Sequence, residues 1–155
     1  MTSTSTQATT VMGYLSADHR RLDGLMEECR RLATTADMPG AFAKFGAFRE
    51  GLMRHIRIEE ELLFPEFESA TGLSEGGPTG VMRHEHLEIR RLMDLIQDLF
   101  TAPGPSAGEF ESLRSALFAL LHEHNLKEER ILYPMTDRMV QPLRRDDLVR
   151  KMQGY

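Results

Sequence analysis

The stretch "HIRIEEELLFP", residues 55–65, returns as "HNLKEERILYP" at residues 124–134. Each copy has a histidine, glutamates four and five positions later, an aromatic residue, and a proline ten positions after the histidine. The two copies keep the same register within a chain of 155 residues. This agreement indicates an internal repeat and sets the expectations for the rest of the chain.

Three turn-rich segments separate four long stretches: "TTADMPG", "ATGLSEGGPTG" and "TAPGPSAG". Between them, apolar residues recur every three or four positions, as on the buried face of an amphipathic helix. Pro39 and Pro78 suit first helical turns, and "SAGE" at residues 106–109 is a capping-box pattern. The predicted helices are residues 11–34, 39–69, 79–100 and 106–138, with a terminal helix after Pro142.

The first and third predicted helices also resemble each other. "DHRRLDGLM" at residues 18–26 aligns with "EHLEIRRLM" at residues 85–93. The two halves therefore look like one helical hairpin written twice, and short connections favour antiparallel neighbours. We expect an all-α fold: an up-down-up-down antiparallel four-helix bundle over residues 11–155, with a short C-terminal helix and a disordered polar tail at residues 1–10. Each repeated proline lacks an amide hydrogen, so the hydrogen-bond ladder should weaken at the carbonyls of Glu61 and Arg130.

Polar side chains are predicted on the apolar faces of all four helices. Residues four apart point to the same side of a helix, which pairs each repeated histidine with the first glutamate after it. Six side chains should project into the core: His19, His55, Glu59, His86, His124 and Glu128. An unpaired buried carboxylate costs far more than a domain's spare stability. Internal hydrogen-bonded pairs or contact with solvent would be one remedy, but a pattern repeated on four helices favours a metal site.

A bundle core can hold metal with side chains from facing helices. Two cations about 3.5 to 4 Å apart could share Glu59 and Glu128, with the histidines in outer positions. Imidazole and carboxylate ligands suit iron, with manganese and zinc as alternatives. The Glu-x-x-His pattern of ferritin-like centres is absent, because the residues three before the histidines are Ser16, Leu52, Arg83 and Leu121. The His-Glu-x-x-His pattern of zinc proteases is absent as well.

Residues 11–138 resemble hemerythrin-like proteins of the HHE cation-binding domain family. Four motifs carry the resemblance: "DHRRLD", "HIRIEEELLFP", "GPTGVMRHEHLEIR" and "HNLKEERILYP". The resemblance implies an oxo- or hydroxo-bridged di-iron centre, with the four histidines as terminal ligands and Glu59 and Glu128 as bridges. It also implies a small ligand: oxygen, peroxide or nitric oxide.

One position departs from the family pattern. Oxygen-carrying hemerythrins use five histidines, two of them four residues apart on the third helix, but the residue four before His86 is Met82. A thioether is a poor ligand for hard iron. Water, Asp23 or Tyr14 are the candidates for the fifth position. This departure makes enzyme-like scavenging of peroxide or nitric oxide, or iron or oxygen sensing through a partner, alternatives to oxygen binding.

Several neighbours of the predicted ligands have simpler interpretations. Four are expected at the surface: Glu60, His84, His122 and Glu129. Glu129 is also an alternative bridge, because hemerythrins use a carboxylate five residues after the histidine on the fourth helix. Asp23 is expected to orient His19, or else to pair with Arg90.

Composition excludes several classes of protein. A net charge of -5 and interspersed Lys and Arg disfavour a nucleic-acid partner. No apolar run approaches the roughly 20 residues that span a bilayer, so no membrane partner is expected. The start of the chain has neither the basic nor the apolar region of a signal peptide. Cys29 is the only cysteine, which excludes an internal disulfide and fits the cytoplasm; it is expected to be a small buried hydrophobe.

Overall fold

A computed structural model describes residues 10–155, and within that range the chain is all-α. Seven α-helices follow one another: α1 (Val11–Thr34), α2 (Met38–Ile58), α3 (Phe64–Thr71), α4 (Pro78–Thr101), α5 (Ala107–Lys127), α6 (Tyr133–Met139) and α7 (Pro142–Gln153). The polar tail predicted for residues 1–10 lies outside the described residues except for Thr10. The all-helical prediction is confirmed, and the order and lengths of the helices are consistent with the expected four-helix bundle.

Two π-helical segments join α-helices into longer rods. Glu59–Leu63 connects α2 to α3, and Glu128–Leu132 connects α5 to α6. In the first segment the N–H of Phe64 donates to the carbonyl of Glu59, five residues earlier. Each segment comes directly before a stretch opened by an aromatic residue and a proline, where an α-helical bond is lost. The repeated prolines therefore mark π turns, a form that the sequence analysis did not specify.

Capping side chains set where the helices begin. The Thr10 hydroxyl accepts from the N–H of Gly13, and the Asp37 carboxylate accepts from the N–H of Gly40. The Ser106 hydroxyl accepts from the N–H of Glu109, as the capping pattern predicted. These bonds satisfy amide groups that have no partner within their own helix. At the far end of the α2–α3 rod, Gly72 ends α3 with a positive φ of 72°.

The core contains two apolar clusters with a polar layer between them. The phenylalanine cluster includes Leu22, Met26, Phe45, Phe48, Leu52, Ile56, Ile89, Phe100, Phe110 and Leu121. The cap cluster includes Val11, Leu15, Ile58, Leu63, Phe64, Met82, Leu132, Tyr133, Leu148 and Met152. Along α1, His19 lies between Leu15 of the cap cluster and Leu22 of the phenylalanine cluster. The histidines thus occupy a buried level with apolar side chains on both sides.

The C-terminal helix α7 packs its apolar side against the cap cluster through Leu148, Val149 and Met152. Arg54 fixes the end of the chain by donating to the carbonyls of Met152 and Tyr155. A short C-terminal helix was predicted, and here it covers the end of the core next to the histidines. Within residues 10–155, no helix combines the length and hydropathy that a membrane crossing requires.

Candidate metal centre

Six polar side chains meet in the buried layer; they come from four rods, namely α1, α4 and the continuous α2–α3 and α5–α6. They are the six residues predicted to face the core: His19, His55, Glu59, His86, His124 and Glu128. Their donor atoms form two groups, each with all atoms within 4.8 Å of one another. One group is Glu59, His86, His124 and Glu128; the other is His19, His55 and Glu128. Glu128 belongs to both groups, so the two groups are adjacent and share a carboxylate.

The histidines turn their Nε2 atoms toward the two glutamates. His19 Nε2 and His124 Nε2 lie 3.2 and 3.3 Å from Glu128 Oε1. His86 Nε2 and His55 Nε2 lie 3.2 and 3.6 Å from Glu59 Oε1. Each glutamate therefore faces one histidine of its own rod and one histidine of another.

Hydrogen bonds do not satisfy all of these atoms. His86 Nε2 and Glu59 Oε1 are 3.2 Å apart, but both lack a hydrogen-bond partner because their mutual geometry is unsuitable. Glu128 Oε2 is also buried without a partner. Such atoms cost free energy when buried, and side-by-side donor atoms that do not bond to each other suit a common cation. The residues present therefore fit a metal centre better than internal pairing.

The outer nitrogen of every histidine faces another carboxylate. His55 Nδ1 lies 2.8 Å from Asp18, and His124 Nδ1 lies 3.0 Å from Glu85. The carboxylate in each case belongs to the residue just before a histidine on the neighbouring helix. Outer carboxylates fix the orientation and tautomer of metal-binding imidazoles, so this contact holds Nε2 toward the interior.

The second glutamate of each doublet completes this outer set. Glu60 lies 3.0 Å from His86 Nδ1 and also binds Arg90 at 2.6 Å. Glu129 lies 3.4 Å from His19 Nδ1. Both side chains keep partial exposure, 25% and 29%, and Glu60 pairs with an arginine, so the expectation of a surface position holds in part. The doublet also presents one carboxylate to the inner nitrogens and the next to an outer nitrogen. The sequence did contain a signal for these outer contacts, because both halves repeat an acid-His pair and a Glu-Glu pair.

Tyr133 reaches the inner layer and was missed in the sequence analysis. Its hydroxyl donates to Glu59 Oε2 at 2.7 Å and lies 3.2 Å from His55 Nε2 and 3.3 Å from His19 Nε2. Its counterpart in the other half, Phe64, stacks on His86 with ring centroids 5.7 Å apart. The only signal in the sequence was that the repeat differs here, with "LFP" in one copy and "LYP" in the other.

Within residues 10–155, neither side-chain candidate for a fifth ligand hydrogen-bonds to the inner layer. The Tyr14 hydroxyl interacts with Arg54 and the carbonyl of Met152, and Met82 is buried in the cap cluster. Asp23 is exposed, and within residues 10–155 no hydrogen bond joins it to His19 or Arg90. His84 and His122 are exposed, as expected.

Electrostatics gives the inner groups opposite charges in the metal-free protein. Burial would lower the pKa of His55, but the charge of Glu59 and a hydrogen bond with Asp18 raise it to about 10. Burial likewise opposes protonation of His124, yet the charge of Glu128 raises its pKa to about 9. Burial would raise the pKa of Glu59, but the charge of His55 holds it well below its usual range. A cation would therefore replace protons that neutralise the same carboxylates.

Comparison with known proteins agrees with this arrangement. A family model described as the hemerythrin HHE cation binding domain matches residues 10–136. The iron-sulfur cluster repair protein YtfE of Edwardsiella ictaluri (strain 93-146) is 31% identical over 101 residues, 61% of this chain and 46% of that relative. YtfE of Dickeya chrysanthemi (strain Ech1591) is 32% identical over 91 residues, covering 55% of this chain and 41% of the relative.

YtfE of Enterobacter sp. (strain 638) is 29% identical over 109 residues, covering 66% of this chain and 50% of the relative. The chain thus spans about half the length of the curated relatives it matches. No solved structure matches the chain. Because the family model covers most of the sequence, including all four histidines and both inner glutamates, the chain belongs to the hemerythrin HHE cation-binding domain family.

Proposed function

We propose that the chain is a non-haem di-iron protein that binds oxygen or a related small oxidant, such as peroxide or nitric oxide. The proposed terminal ligands are the four buried histidines, and the proposed bridges are Glu59 and Glu128, in an up-down-up-down four-helix bundle. One observation carries the proposal: two groups of buried donor atoms share Glu128, and several of those atoms have no hydrogen-bond partner.

Iron is the proposed metal because the donors are imidazoles and carboxylates. Cys29 is buried in the phenylalanine cluster, and burial raises the pKa of its thiol to about 12, so it offers no thiolate. The name of the relatives refers to iron-sulfur cluster repair, which supports iron chemistry in this chain but does not extend their repair activity to it. A cytoplasmic location stays a prediction.

The protein's own residues would prepare the centre in three ways. The outer carboxylates hold the imidazoles with Nε2 inward, the glutamates supply negative charge between the two groups, and the apolar clusters exclude water. When bound, the iron pair would supply electrons to a small oxidant. The role of the polypeptide is thus to fix ligands in advance and to limit access to small molecules.

Anaerobic reconstitution with Fe(II) tests the proposal. Wild-type protein should take up about two irons per chain, as expected for two metals sharing bridging carboxylates. Glu128→Gln should lower this uptake, because Glu128 belongs to both donor groups. Glu123→Gln is the matched control on the same rod, since Glu123 is exposed. Uptake well below one iron by the wild-type protein would reject a di-iron function.

A second candidate is turnover of peroxide or nitric oxide at the same centre. The asymmetry between Tyr133 and Phe64 favours it, because a hydroxyl group enters only one half of an otherwise repeated site. The optical spectrum of the reduced protein, followed after addition of oxygen, separates the functions. A charge-transfer band that disappears under vacuum indicates carriage, whereas rapid irreversible oxidation indicates sensing or catalysis. Peroxide consumption no faster than that of free iron would reject turnover.

A further inference from the structure

We infer that Tyr133 is a ligand of the metal bound by His19 and His55, through its phenolate oxygen. This inference rests on the proposed di-iron function and makes the two metal positions chemically different. The group that contains His86 and His124 has four His and Glu donors, whereas the group that contains His19 and His55 has three. The Tyr133 hydroxyl lies beside the smaller group and adds a fourth donor there, or a fifth when Glu59 bridges both metals as proposed.

The distances fit ligands of one ion. Ligand atoms bonded to a metal at about 2.0 to 2.2 Å and separated by 90° to 109° lie roughly 2.8 to 3.6 Å apart. The Tyr133 oxygen is 3.3 Å from His19 Nε2 and 3.2 Å from His55 Nε2. His19 Nε2 is in turn 3.2 Å from Glu128 Oε1. These atoms surround a common space on the side of the cluster that Tyr133 occupies.

The position of Tyr133 follows from the π turn. In an α-helix, residues five apart differ by about 140° around the axis, which would turn Tyr133 away from Glu128. The Glu128–Leu132 segment instead has i→i+5 hydrogen bonding, which brings residues five apart closer to one face. Tyr133 and Glu128 therefore both point into the buried layer.

A purely structural role explains less of the geometry. If the ring served only to fill space, phenylalanine would suffice, as Phe64 does in the other half. Tyr133 is completely buried, and its ring packs against His19 with centroids 5.7 Å apart. The hydroxyl is the part that differs, and it points at three of the proposed ligand residues.

Tyrosine is an established type of iron ligand in proteins. As the oxygen-to-metal bond forms, the phenolic proton leaves for solvent and no electron is transferred. The bound cation favours this loss, because it is the largest charge in the site. A phenolate adds negative charge at this metal, so it favours the ferric ion and fills a position that a small oxidant would otherwise use. The oxidant would then bind mainly at the metal of His86 and His124.

Spectroscopy of the air-oxidised, iron-loaded protein tests this ligand directly. The chain has three tyrosines, so the Tyr14→Phe/Tyr155→Phe double variant keeps Tyr133 alone. This variant should show a visible phenolate-to-iron charge-transfer band and resonance-enhanced tyrosine ring vibrations that shift when the tyrosine ring is deuterated. Tyr133→Phe should lose both signals when they are normalised to the iron that the variant binds.

The outcomes separate this inference from the proposed function. Two irons without phenolate vibrations in the double variant would overturn the Tyr133 ligand and leave the di-iron function intact. Retention of the band in Tyr133→Phe would overturn it equally. Wild-type uptake below one iron would reject the di-iron function and the inference together. Because the double variant keeps Tyr133, the test does not depend on whether Tyr133→Phe folds.

Discussion

Each of the four imidazoles has a carboxylate near Nδ1, the ring nitrogen that points away from the buried layer. Asp18 is buried against His55 at 2.8 Å and also accepts from Arg21. Burial would raise the pKa of Asp18, but His55 and Arg21 outweigh burial and lower it, so the group is an anion at neutral pH. Its charge increases the electron density of His55 and holds the ring in one orientation.

Replacing Asp18 with Asn should therefore weaken metal binding without unfolding the protein. The amide keeps the size of the side chain but removes the charge, and loss of such a partner usually lowers metal affinity about 10- to 100-fold. Competition with a chelator measures the change. Glu27→Gln is the control, because Glu27 lies on the same helix, is exposed and pairs with Arg30 instead of a histidine. An equal loss in the control would mean that net charge, rather than the His55 contact, is responsible.

At the scale of single residues, sequence spacing located the inner groups but not their partners. The six inner residues could be predicted because each has a helical spacing to apolar neighbours on its own helix. Asp18 precedes His19, so it points about 100° away from that histidine, toward α2. Its contact with His55 depends on how two helices pack, which spacing along one helix does not report. Sequence spacing did not predict Tyr133 for a related reason: in a regular α-helix its side chain would point away from Glu128.

At the scale of elements, the close approach of α1 and α2 occurs at Gly51, one turn before His55. A Cβ added at Gly51 would lie 2.8 Å from Leu22 Cδ2 and 3.0 Å from Arg21 Nη2. Leu22 is only 3% exposed, so it has little room to move. At Gly46, on the same helix, an added Cβ would meet nothing within 4 Å.

Alanine substitution should change the free energy of unfolding in opposite directions at the two glycines. Gly46→Ala should stabilise the protein by up to about 1 kcal/mol, because alanine is the better helix former. Gly51→Ala gains the same propensity but overpacks a buried contact, which costs about 1 to 3 kcal/mol, so a net loss is expected. Urea unfolding of both variants measures the difference in free energy. Stabilisation by both substitutions would show that α1 and α2 are not tightly apposed at Gly51.

The helices were predictable because their apolar periodicity and caps agree, and the observed ends lie within a few residues of the expected ones. The π segments were not. The same apolar pattern is compatible with an α-helix and with a π turn. The two differ in which carbonyl accepts from the N–H of Phe64, here that of Glu59. The repeated prolines showed where the ladder is interrupted, but only packing of the glutamates and aromatic rings in the core selects the extra residue per turn.

At the scale of the whole molecule, metal binding and folding should be coupled, because the proposed ligands come from four separate helical segments. A ligand that binds only the folded state stabilises it by about 2.7 kcal/mol at a hundred times its dissociation constant. For a domain of this size, each kcal/mol raises the melting temperature by roughly 2 to 4 °C. Anaerobic Fe(II) should therefore raise the melting temperature by several degrees, as followed by circular dichroism.

The same measurement on Glu128→Gln is the control for this coupling. Iron should raise its melting temperature less, since both donor groups lose the carboxylate they share. Equal melting temperatures of wild-type protein with and without iron would contradict the coupling, and would also weaken the case for a sensor that acts by ordering the bundle.

The decline of stability with rising pH should be weaker when metal is bound. In the metal-free protein, the folded-state pKa values of His55 and His124 are about 10 and about 9, against an ordinary value of 6.5. Their stabilisation is fully present below about pH 6.5 and is lost as pH rises through about 9 to 10. The lowered pKa of Glu59 acts in the other direction: its contribution is present above pH 4.5 and is lost on acidification. Metal-free stability should therefore decline from about pH 6.5 upward.

Metal opposes this decline because the imidazoles must lose their protons before they can bind a cation. The stabilisation added by Fe(II) should grow as pH rises from about 6 to 8, because binding releases imidazole protons and their release becomes more favourable as the proton concentration falls. Anaerobic urea unfolding at a series of pH values, with Fe(II) or with a chelator, measures both slopes. If the chelator-treated protein gains stability over the same range, the histidines do not hold protons in the metal-free fold. Parallel slopes with and without iron would show instead that the metal binds away from His55 and His124.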